Sequence, residues 1–162
     1  LAFSYPLMKR YTYWPQLFLG ITFNYGLILG WASTENSLNI IPIIFYIGAI
    51  FWTLGYDTIY GFQDIKDDEI IGIKSTSIKF KKNPIPFLTI CYSIFIFITL
   101  MVGILMKFNN LFFIILILPV LHLFAYQIKN MKINNTSNCL KIFRSNNFFG
   151  LLILLTIVIG KF

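Results

Sequence analysis

The sequence predicts an all-helical bundle that crosses a membrane about five times. Hydrophobic residues make up 57% of the 162-residue chain and charged residues 12%, whereas charged residues are about 25% of an average soluble domain. Apolar runs that reach the roughly 17–25 residues needed to span a bilayer recur along the chain. The basic residues cluster in the connections that alternating helices would bring to one side. These features together predict a polytopic intramembrane helical bundle.

Five apolar runs define the predicted spans. In chain order they cover residues 14–33, 40–62, 85–106, 111–128 and 147–160. The first four approach or exceed the length that a transmembrane helix needs, and the last is short. The two longest polar connections, 64–84 and 129–146, fall on the same side of the membrane if the helices alternate in direction. The chain shows no soluble domain, so it is predicted to form one membrane-embedded unit over residues 1–162.

The distribution of basic residues predicts the orientation of the bundle. All of the lysines and arginines except Lys107 and Lys161 fall on one side of the five alternating spans. By the positive-inside rule that side is cytoplasmic. The net charge of +7 is therefore explained mainly by topology, and it does not argue for binding to nucleic acid.

Most of the acidic residues are concentrated where the second span reaches this same side. Five of the six lie within thirteen positions, and they are Asp57, Asp64, Asp67, Asp68 and Glu69. A carboxylate in or beside hydrocarbon costs a few kcal/mol even on lenient scales. The cluster therefore needs a compensating partner, and a divalent cation is the usual one.

The spacing of these acids predicts a Mg²⁺ site if the second helix continues through Asp68. At about 100° per residue, Asp64 and Asp68 then fall within about 20° of Asp57, and Asp67 lies about 80° away. Gly61 would leave the approach to this stripe open. Asp64 and Asp68 lie one turn apart, close enough to share a cation, and ligands that are all oxygen suit Mg²⁺. The residues alone also allow a solvated acidic run that nearby lysines neutralise.

Two basic elements are predicted on the same membrane face as the acids. Tyr5 and Lys9 form a Y-x-x-x-K pair that is followed by Arg10. Lys74, Ser75 and Thr76 follow the acids in the segment GIKSTS (72–77), and we expect these cations and hydroxyls to face the acids. We expect Tyr5, Lys9, Arg10 and Lys74 to bind a diphosphate, which accepts charge-assisted hydrogen bonds on every side. Basic charge that only sets the topology is the alternative for Lys9 and Arg10.

Three segments resemble the UbiA superfamily of intramembrane prenyltransferases. They are YPLMKRYTYWPQLFLG (5–20), YDTIYGFQDIKDDEIIGIKSTSIKF (56–80) and FRSNNFFG (143–150), which fits a late F-x-x-N-x-x-x-G signature. The order of the segments is preserved along the whole chain. The resemblance implies an all-helical bundle around a central cavity, in which two Asp-rich motifs face each other and bind Mg²⁺ on a prenyl diphosphate.

The resemblance also implies roles for individual residues. Asp64 and Asp68 match the metal ligands of the second Asp-rich motif and would be catalytic together with Lys9. Asp57 would lie on the same stripe, and Asp67 would be an alternate ligand. Tyr5 and Lys9 match the Y-x-x-x-K element that contacts the diphosphate.

The residues of the second motif are most similar to those found in the branch of the family that prenylates 4-hydroxybenzoate in ubiquinone synthesis. The implied reaction is Mg²⁺-dependent transfer of a polyprenyl group from polyprenyl diphosphate to the aromatic ring. The implied location is the lipid bilayer of a bacterial inner membrane, with the active site toward the cytoplasm. Relatives that use haem, a naphthoate or a chlorin as acceptor are the alternatives within the family.

Two departures from the family pattern qualify these expectations. The first Asp-rich motif, N-D-x-x-D-x-x-x-D, does not occur in the chain, which opens on Leu1. We therefore expect the C-terminal part of a nine-helix enzyme, with an N-terminal part of the same enzyme as its partner. If these residues were the entire product, we would expect an inactive remnant. The second departure is Gly61, which stands where Ala is common, and we expect this change to be harmless.

Outside the family, the alternative hypothesis is that the protein is a divalent-cation transporter. Such a protein needs acidic or polar residues near the midpoints of several spans, but the only acid outside positions 57–69 is Glu35. His122 lies inside the fourth predicted span with no acidic neighbour in sequence. We therefore interpret it as a hydrogen-bonded packing residue, and we assign no chemical role to Asn146.

Overall fold

The computed structural model describes residues 5–35, 37 and 39–162, and it is helical over 81% of the chain. Within those residues there is no β-strand. The α-helices in chain order are α1 (Tyr5–Tyr11), α2 (Pro15–Phe23), α3 (Tyr25–Glu35), α4 (Ile40–Gly61), α5 (Ile65–Ile71), α6 (Thr76–Lys79), α7 (Pro84–Leu105), α8 (Asn110–Ile115), α9 (Ile117–Leu121), α10 (Thr136–Arg144) and α11 (Asn146–Lys161), and a π-helix (His122–Ile128) follows α9. The all-helical prediction is confirmed.

In the described part of the chain, five helical stretches are long and apolar enough to cross a membrane. They are Pro15–Glu35, Ile40–Gly61, Pro84–Leu105, Asn110–Ile128 and Thr136–Lys161. The five predicted spans are thus confirmed, and the chain is a multi-pass membrane protein. The fifth stretch begins well before position 147, because Ser145 between α10 and α11 keeps a helical conformation (φ −65°, ψ −14°).

The first span is broken at Asn24, which lies between α2 and α3. The Asn24 side-chain amide donates to the carbonyl of Gly20 (2.8 Å) and to Thr53 Oγ1 on α4 (2.8 Å). The Asn24 side chain thus fastens the first span to the second. Because no water is available inside a bilayer, such polar contacts must be made within the protein.

Helix α4 is the central element of the bundle and packs against α2, α7 and α10. It begins where Asn39 Oδ1 accepts a hydrogen bond from the Ile41 N–H (2.9 Å), an N-cap contact. Close approach to α7 depends on small residues. A Cβ placed at Gly48 would lie 2.8 Å from Ile98, and one at Gly55 would lie 2.5 Å from the Tyr92 ring. Small residues of this kind let helices approach closely in membranes.

The helix of the second span does not continue through Asp68, so this part of the prediction is wrong. Helix α4 ends at Gly61, and α5 begins at Ile65. Phe62 turns into the core, where it is 1% exposed. The residues of α5 are mostly charged, and none of them is buried. The acidic segment therefore forms a separate short helix at the surface of the bundle, and it does not lengthen the span.

The turn after α5 brings the chain back to α1. Gly72 adopts a left-handed conformation (φ +78°), and its N–H donates to the carbonyls of Asp68 and Glu69. Glycine takes this helix-ending conformation without a steric penalty. Two residues later, the Lys74 N–H donates to the Lys9 carbonyl (2.7 Å). This backbone contact places the Y-x-x-x-K element beside the acidic helix.

The fourth span ends in the π-helix His122–Ile128, one turn after Pro119. Proline lacks the N–H that would bond the carbonyl four residues earlier, so Pro119 accounts for the interruption between α8 and α9. π-turns appear mostly as single wide turns within α-helices. Gln127 lies in this segment and is fully buried. The wide turn thus places a polar side chain inside the bundle.

The buried Gln127 belongs to a network that joins four spans. Tyr92 OH donates to Gln127 Oε1 (2.8 Å), and Gln127 Nε2 donates to Asn146 Oδ1 (3.1 Å). The same Asn146 oxygen accepts a hydrogen bond from Trp52 Nε1 (3.0 Å). We call these four residues the core amide network.

Candidate active site

The predicted metal ligands lie on two helices. Asp57 is half-buried in the last turns of α4, and Asp68 is half-buried on α5, whereas Asp64 and Asp67 are exposed. The Asp68 N–H donates to the Asp64 carbonyl (2.8 Å), so these two acids are one turn apart, as predicted. Within the described residues, no three His, Cys, Asp or Glu side chains lie close enough to hold a metal ion together.

The chemistry of these side chains nevertheless fits Mg²⁺. The single ion pair recorded among the described residues joins Lys81 to Glu69, which leaves the neighbouring aspartates available as ligands. A pair of carboxylates is the protein contribution that Mg²⁺ usually takes, because the ion keeps several waters and also binds substrate phosphates. Asp64 and Asp68 could supply such a pair without a third protein ligand.

Lys9 lies near enough to the acids for its charge to act on them. It is half-buried near the C-terminal end of α1, and its charge acts on both Asp57 and Asp68. Burial raises the pKa of the Asp68 carboxyl, Lys9 opposes that rise, and the neighbouring Asp64 and Asp67 carboxylates add to it. The structure therefore brings Lys9 together with the acidic helix. The Tyr5 side chain lies outside the described residues.

The other two basic residues predicted to bind a diphosphate lie close to Lys9. Lys9 and Arg10 line a cleft of about 450 Å³ whose other wall is the turn 71–73. Lys74 Nζ donates to the Tyr11 carbonyl (3.4 Å) and lies 5.8 Å from the centre of the Tyr13 ring. The cleft and Lys74 form the positively charged edge of the candidate site.

The hydroxyl groups of GIKSTS do not face the acids, contrary to the prediction. Ser75 accepts a hydrogen bond from the Ile78 N–H as the cap of α6. Thr76 Oγ1 lies 2.6 Å from Thr58 Oγ1 in a fully buried contact. These hydroxyls fasten α6 to α4, because an unpaired hydroxyl buried between helices would be costly. They do not line the cleft beside Lys9 and Arg10.

Gly61 also has a different role from the one predicted. The space beside it is filled by Ser77 Oγ, which donates to the Thr58 carbonyl (2.8 Å). A Cβ at Gly61 would overlap this oxygen. Gly61 therefore makes room for the packing of α6 on α4, and it does not open the approach to the acids.

Replacing Gly61 with Ala is expected to destabilise the protein by about 1–3 kcal/mol, as overpacking typically does. Gly26→Ala is the matched control, because nothing lies within 4 Å of a Cβ at that position. The measurement is the midpoint of thermal unfolding in detergent. Measured against Ser77→Ala alone, Gly61→Ala should cost much less, because the overlapping hydroxyl oxygen is gone. Equal midpoints for Gly61→Ala and Gly26→Ala would contradict the packing role.

A small aromatic cavity lies beside the acidic end of α4. It has a volume of about 220 Å³ and is lined by Phe23, Trp52, Tyr56, Phe143, Asn146 and Asn147. The rings of Trp52 and Tyr56 are 5.3 Å apart, and those of Tyr60 and Phe143 are 4.6 Å apart. Tyr56 directly precedes Asp57. Electron-rich ring faces of this kind attract cations and stack on other rings.

Sequence reasoning missed the core amide network behind this cavity. His122 does form a hydrogen bond, at 3.3 Å between its Nδ1 and Gln127 Nε2, which supports its interpretation as a packing residue. Asn146 had no predicted role, but its oxygen holds the Trp52 indole against the cavity. A lone amide within an apolar span was the available signal, because such a group must find a partner inside the bundle.

These features define a class of protein: a multi-pass membrane bundle with an acidic helix, a facing cationic cleft and an adjoining aromatic cavity. Comparison with known proteins places the chain within that class. Residues 1–153 match the UbiA prenyltransferase family, and the chain belongs to this family. The resemblance inferred from the sequence is therefore confirmed.

Several curated relatives are similar to nearly the whole chain. The mitochondrial 4-hydroxybenzoate polyprenyltransferase of Bos taurus is 41% identical over 162 residues, which cover 99% of this chain and 43% of the relative. The corresponding protein of Dictyostelium discoideum is 38% identical over 97% of this chain and 34% of its own length. The 4-hydroxybenzoate octaprenyltransferase of Pasteurella multocida is 35% identical over 100% of this chain and 56% of its own length.

The chain therefore spans between a third and somewhat more than half of the length of these relatives. No solved structure matches it significantly. The comparisons establish the family and the extent of the match, and the roles of the individual site residues remain predictions.

Proposed function

We propose that the protein containing this chain transfers a polyprenyl group from polyprenyl diphosphate to the aromatic ring of 4-hydroxybenzoate in ubiquinone synthesis. The names of the relatives from cattle, Dictyostelium and Pasteurella support this substrate pair. The observation that carries the proposal is the placement of Lys9 opposite the acidic helix, which the backbone bond between Lys74 and Lys9 maintains. A diphosphate bound through a cation requires this combination of acidic and basic groups.

Asp64 and Asp68 would hold Mg²⁺, which supplies positive charge to the diphosphate when it is bound. Lys9 and Arg10 line the adjoining cleft, and their ammonium and guanidinium groups stabilise the negative charge that collects on the leaving diphosphate. This stabilisation favours heterolysis of the allylic C–O bond, in which both electrons leave with the diphosphate oxygen.

The aromatic cavity would hold the acceptor ring against the allylic carbon. The Trp52 and Tyr56 faces stabilise positive charge on that carbon and exclude water from it. A ring carbon ortho to the hydroxyl of 4-hydroxybenzoate forms the new C–C bond with a pair of ring electrons. Loss of the proton from that carbon restores the aromatic ring.

The cationic side of the bundle is proposed to face the cytoplasm of a bacterium, with the chain in the inner membrane. Lys9, Lys74 and the acidic helix all belong to that side. The positive-inside rule supports this orientation. A mitochondrial location is the alternative, because relatives from both sources are similar over nearly the whole chain.

The proposed function is tested by Mg²⁺-dependent transfer of radiolabelled polyprenyl diphosphate to 4-hydroxybenzoate in membranes. The native gene product is used, with whatever coding sequence flanks these 162 residues, and the isolated chain is assayed beside it. We expect labelled prenyl-hydroxybenzoate with Mg²⁺ and none after chelation of the metal. Transfer to a naphthoate or haem instead would show that the proposed acceptor is wrong and that the proposed type of reaction is right. Failure with every acceptor would overturn the proposed function.

A further inference from the structure

A second cleft on the cationic side of the bundle lies outside the candidate active site. It has a volume of about 570 Å³ and lies between the segments 81–86 and 131–134. The first segment leads into α7, and the second follows the π-helix at the end of the fourth span. None of the residues predicted to bind metal or diphosphate lines this cleft.

The polar half of the cleft carries hydrogen-bond donors that are either positively charged or neutral. Two ammonium groups, from Lys81 and Lys82, and two carboxamides, from Asn83 and Asn134, line it, and no acidic side chain does. Lys82 is exposed and has no ion-pair partner among the described residues. Lysines and amides arranged in this way bind phosphate groups.

Lys81 links this cleft to the acidic helix. Its ammonium forms an ion pair with Glu69 on α5, and the two side chains are 44% and 39% exposed. An exposed pair of this kind contributes little stability and is easily exchanged for another anion. A phosphate in the cleft would therefore compete with Glu69 for Lys81.

The other half of the cleft is apolar and lies at the boundary of the bilayer. Pro84 begins the third span and Ile128 ends the fourth, so both walls of the cleft lie at the depth of the lipid headgroups. Ile85 is 51% exposed in the first turn of α7, and Met131 and Ile133 form the opposite wall. A ligand that fits both halves carries a negative charge on an apolar chain.

We propose that this cleft binds the headgroup of an anionic phospholipid. Free phosphate shares the charge of the headgroup, but it leaves the apolar wall uncovered. Basic pockets between helices on the cytoplasmic side of a membrane are a general mode of headgroup recognition. The site is separate from the active site, and the proposal does not depend on the reaction proposed above.

The test titrates the native gene product, held in a neutral detergent, with short-chain phosphatidylglycerol and follows binding by thermophoresis. Short-chain phosphatidylcholine and glycerol phosphate are titrated in parallel. We expect saturable binding of phosphatidylglycerol and much weaker binding of the other two compounds. Lys82→Gln should lower the affinity about fivefold, which corresponds to about 1 kcal/mol for a lysine at an anionic surface.

Two further variants separate the cleft from general surface charge. Glu69→Gln releases Lys81 and removes a nearby negative charge, so it should raise the affinity for phosphatidylglycerol. Lys107→Gln removes a lysine from the opposite membrane face and should leave the affinity unchanged. Equal losses of affinity for phosphatidylglycerol in Lys82→Gln and Lys107→Gln would show that this cleft is not the binding site. Equal binding of glycerol phosphate and phosphatidylglycerol would overturn the lipid as ligand.

Discussion

Replacement of Asp68 with Asn is expected to reduce Mg²⁺-dependent prenyl transfer by about 10²–10³-fold, the loss typical of removing one electrostatic contact to a reacting group. The substitution keeps the size of the side chain and removes its charge. Asp68 is half-buried, lies one turn from Asp64 and interacts with Lys9. The measurement is the rate of transfer as a function of Mg²⁺ concentration, and the concentration needed for half-maximal activity should also rise.

Glu69→Gln is the matched control for this experiment. Glu69 is the next residue on the same helix, but its carboxylate is paired with Lys81. We expect this variant to keep a rate and a Mg²⁺ requirement close to those of the unmodified protein. If Glu69→Gln and Asp68→Asn were equally impaired, the loss would reflect the total charge of α5. The assignment of Asp68 as a metal ligand would then be wrong.

Replacement of Asn146 with Leu is expected to have the largest effect on stability. Its oxygen accepts hydrogen bonds from Trp52 Nε1 and Gln127 Nε2, and leucine would leave both donors without this acceptor. An unsatisfied buried donor costs about 1–3 kcal/mol. The measurement is the midpoint of thermal unfolding in detergent, which should fall clearly.

The same substitution should change the aromatic cavity. Without its hydrogen bond to Asn146, the Trp52 indole is no longer held against Tyr56, so the Michaelis constant for the aromatic acceptor should rise more than that for the prenyl diphosphate. Asn147→Leu is the control, because Asn147 lines the same cavity and lies outside the core amide network. Identical behaviour of the two variants would show that Asn146 does not position Trp52.

The number and order of the spans could be predicted from the sequence, and so could their limits apart from the start of the fifth span. Long apolar runs determine where a chain can cross a bilayer, and this depends on composition and length alone. The acidic cluster and the Y-x-x-x-K pair were also visible, because charge is rare in this chain. The backbone bond between Lys74 and Lys9 shows that the two basic elements do meet beside the acids.

The details that sequence reasoning missed depend on contacts between distant segments. Helical periodicity predicts the angle between Asp57 and Asp64 around a continuous helix. It does not predict that α4 ends at Gly61, because no proline marks that boundary. The hydroxyls of Ser75 and Thr76 could bind either a ligand or another helix, and the choice depended on Thr58, eighteen residues before Thr76. Gln127 and Asn146 likewise acquire a role only through their packing against Trp52 and Tyr92.

The π-helix at His122–Ile128 makes the fourth span sensitive to changes in its length. A wide turn of this kind corresponds to one residue inserted into an α-helix. Deleting one residue there would restore regular α-helical winding and redirect the side chains within the segment, while the turns on either side would keep their relative orientation, because a π-turn absorbs the extra residue locally. The Gln127 side chain would then no longer point toward Asn146, although the residue itself would be unchanged. Homologues that differ by a single gap in this segment should therefore differ in the partners of this amide, and alignments that ignore the gap would pair residues that face different neighbours.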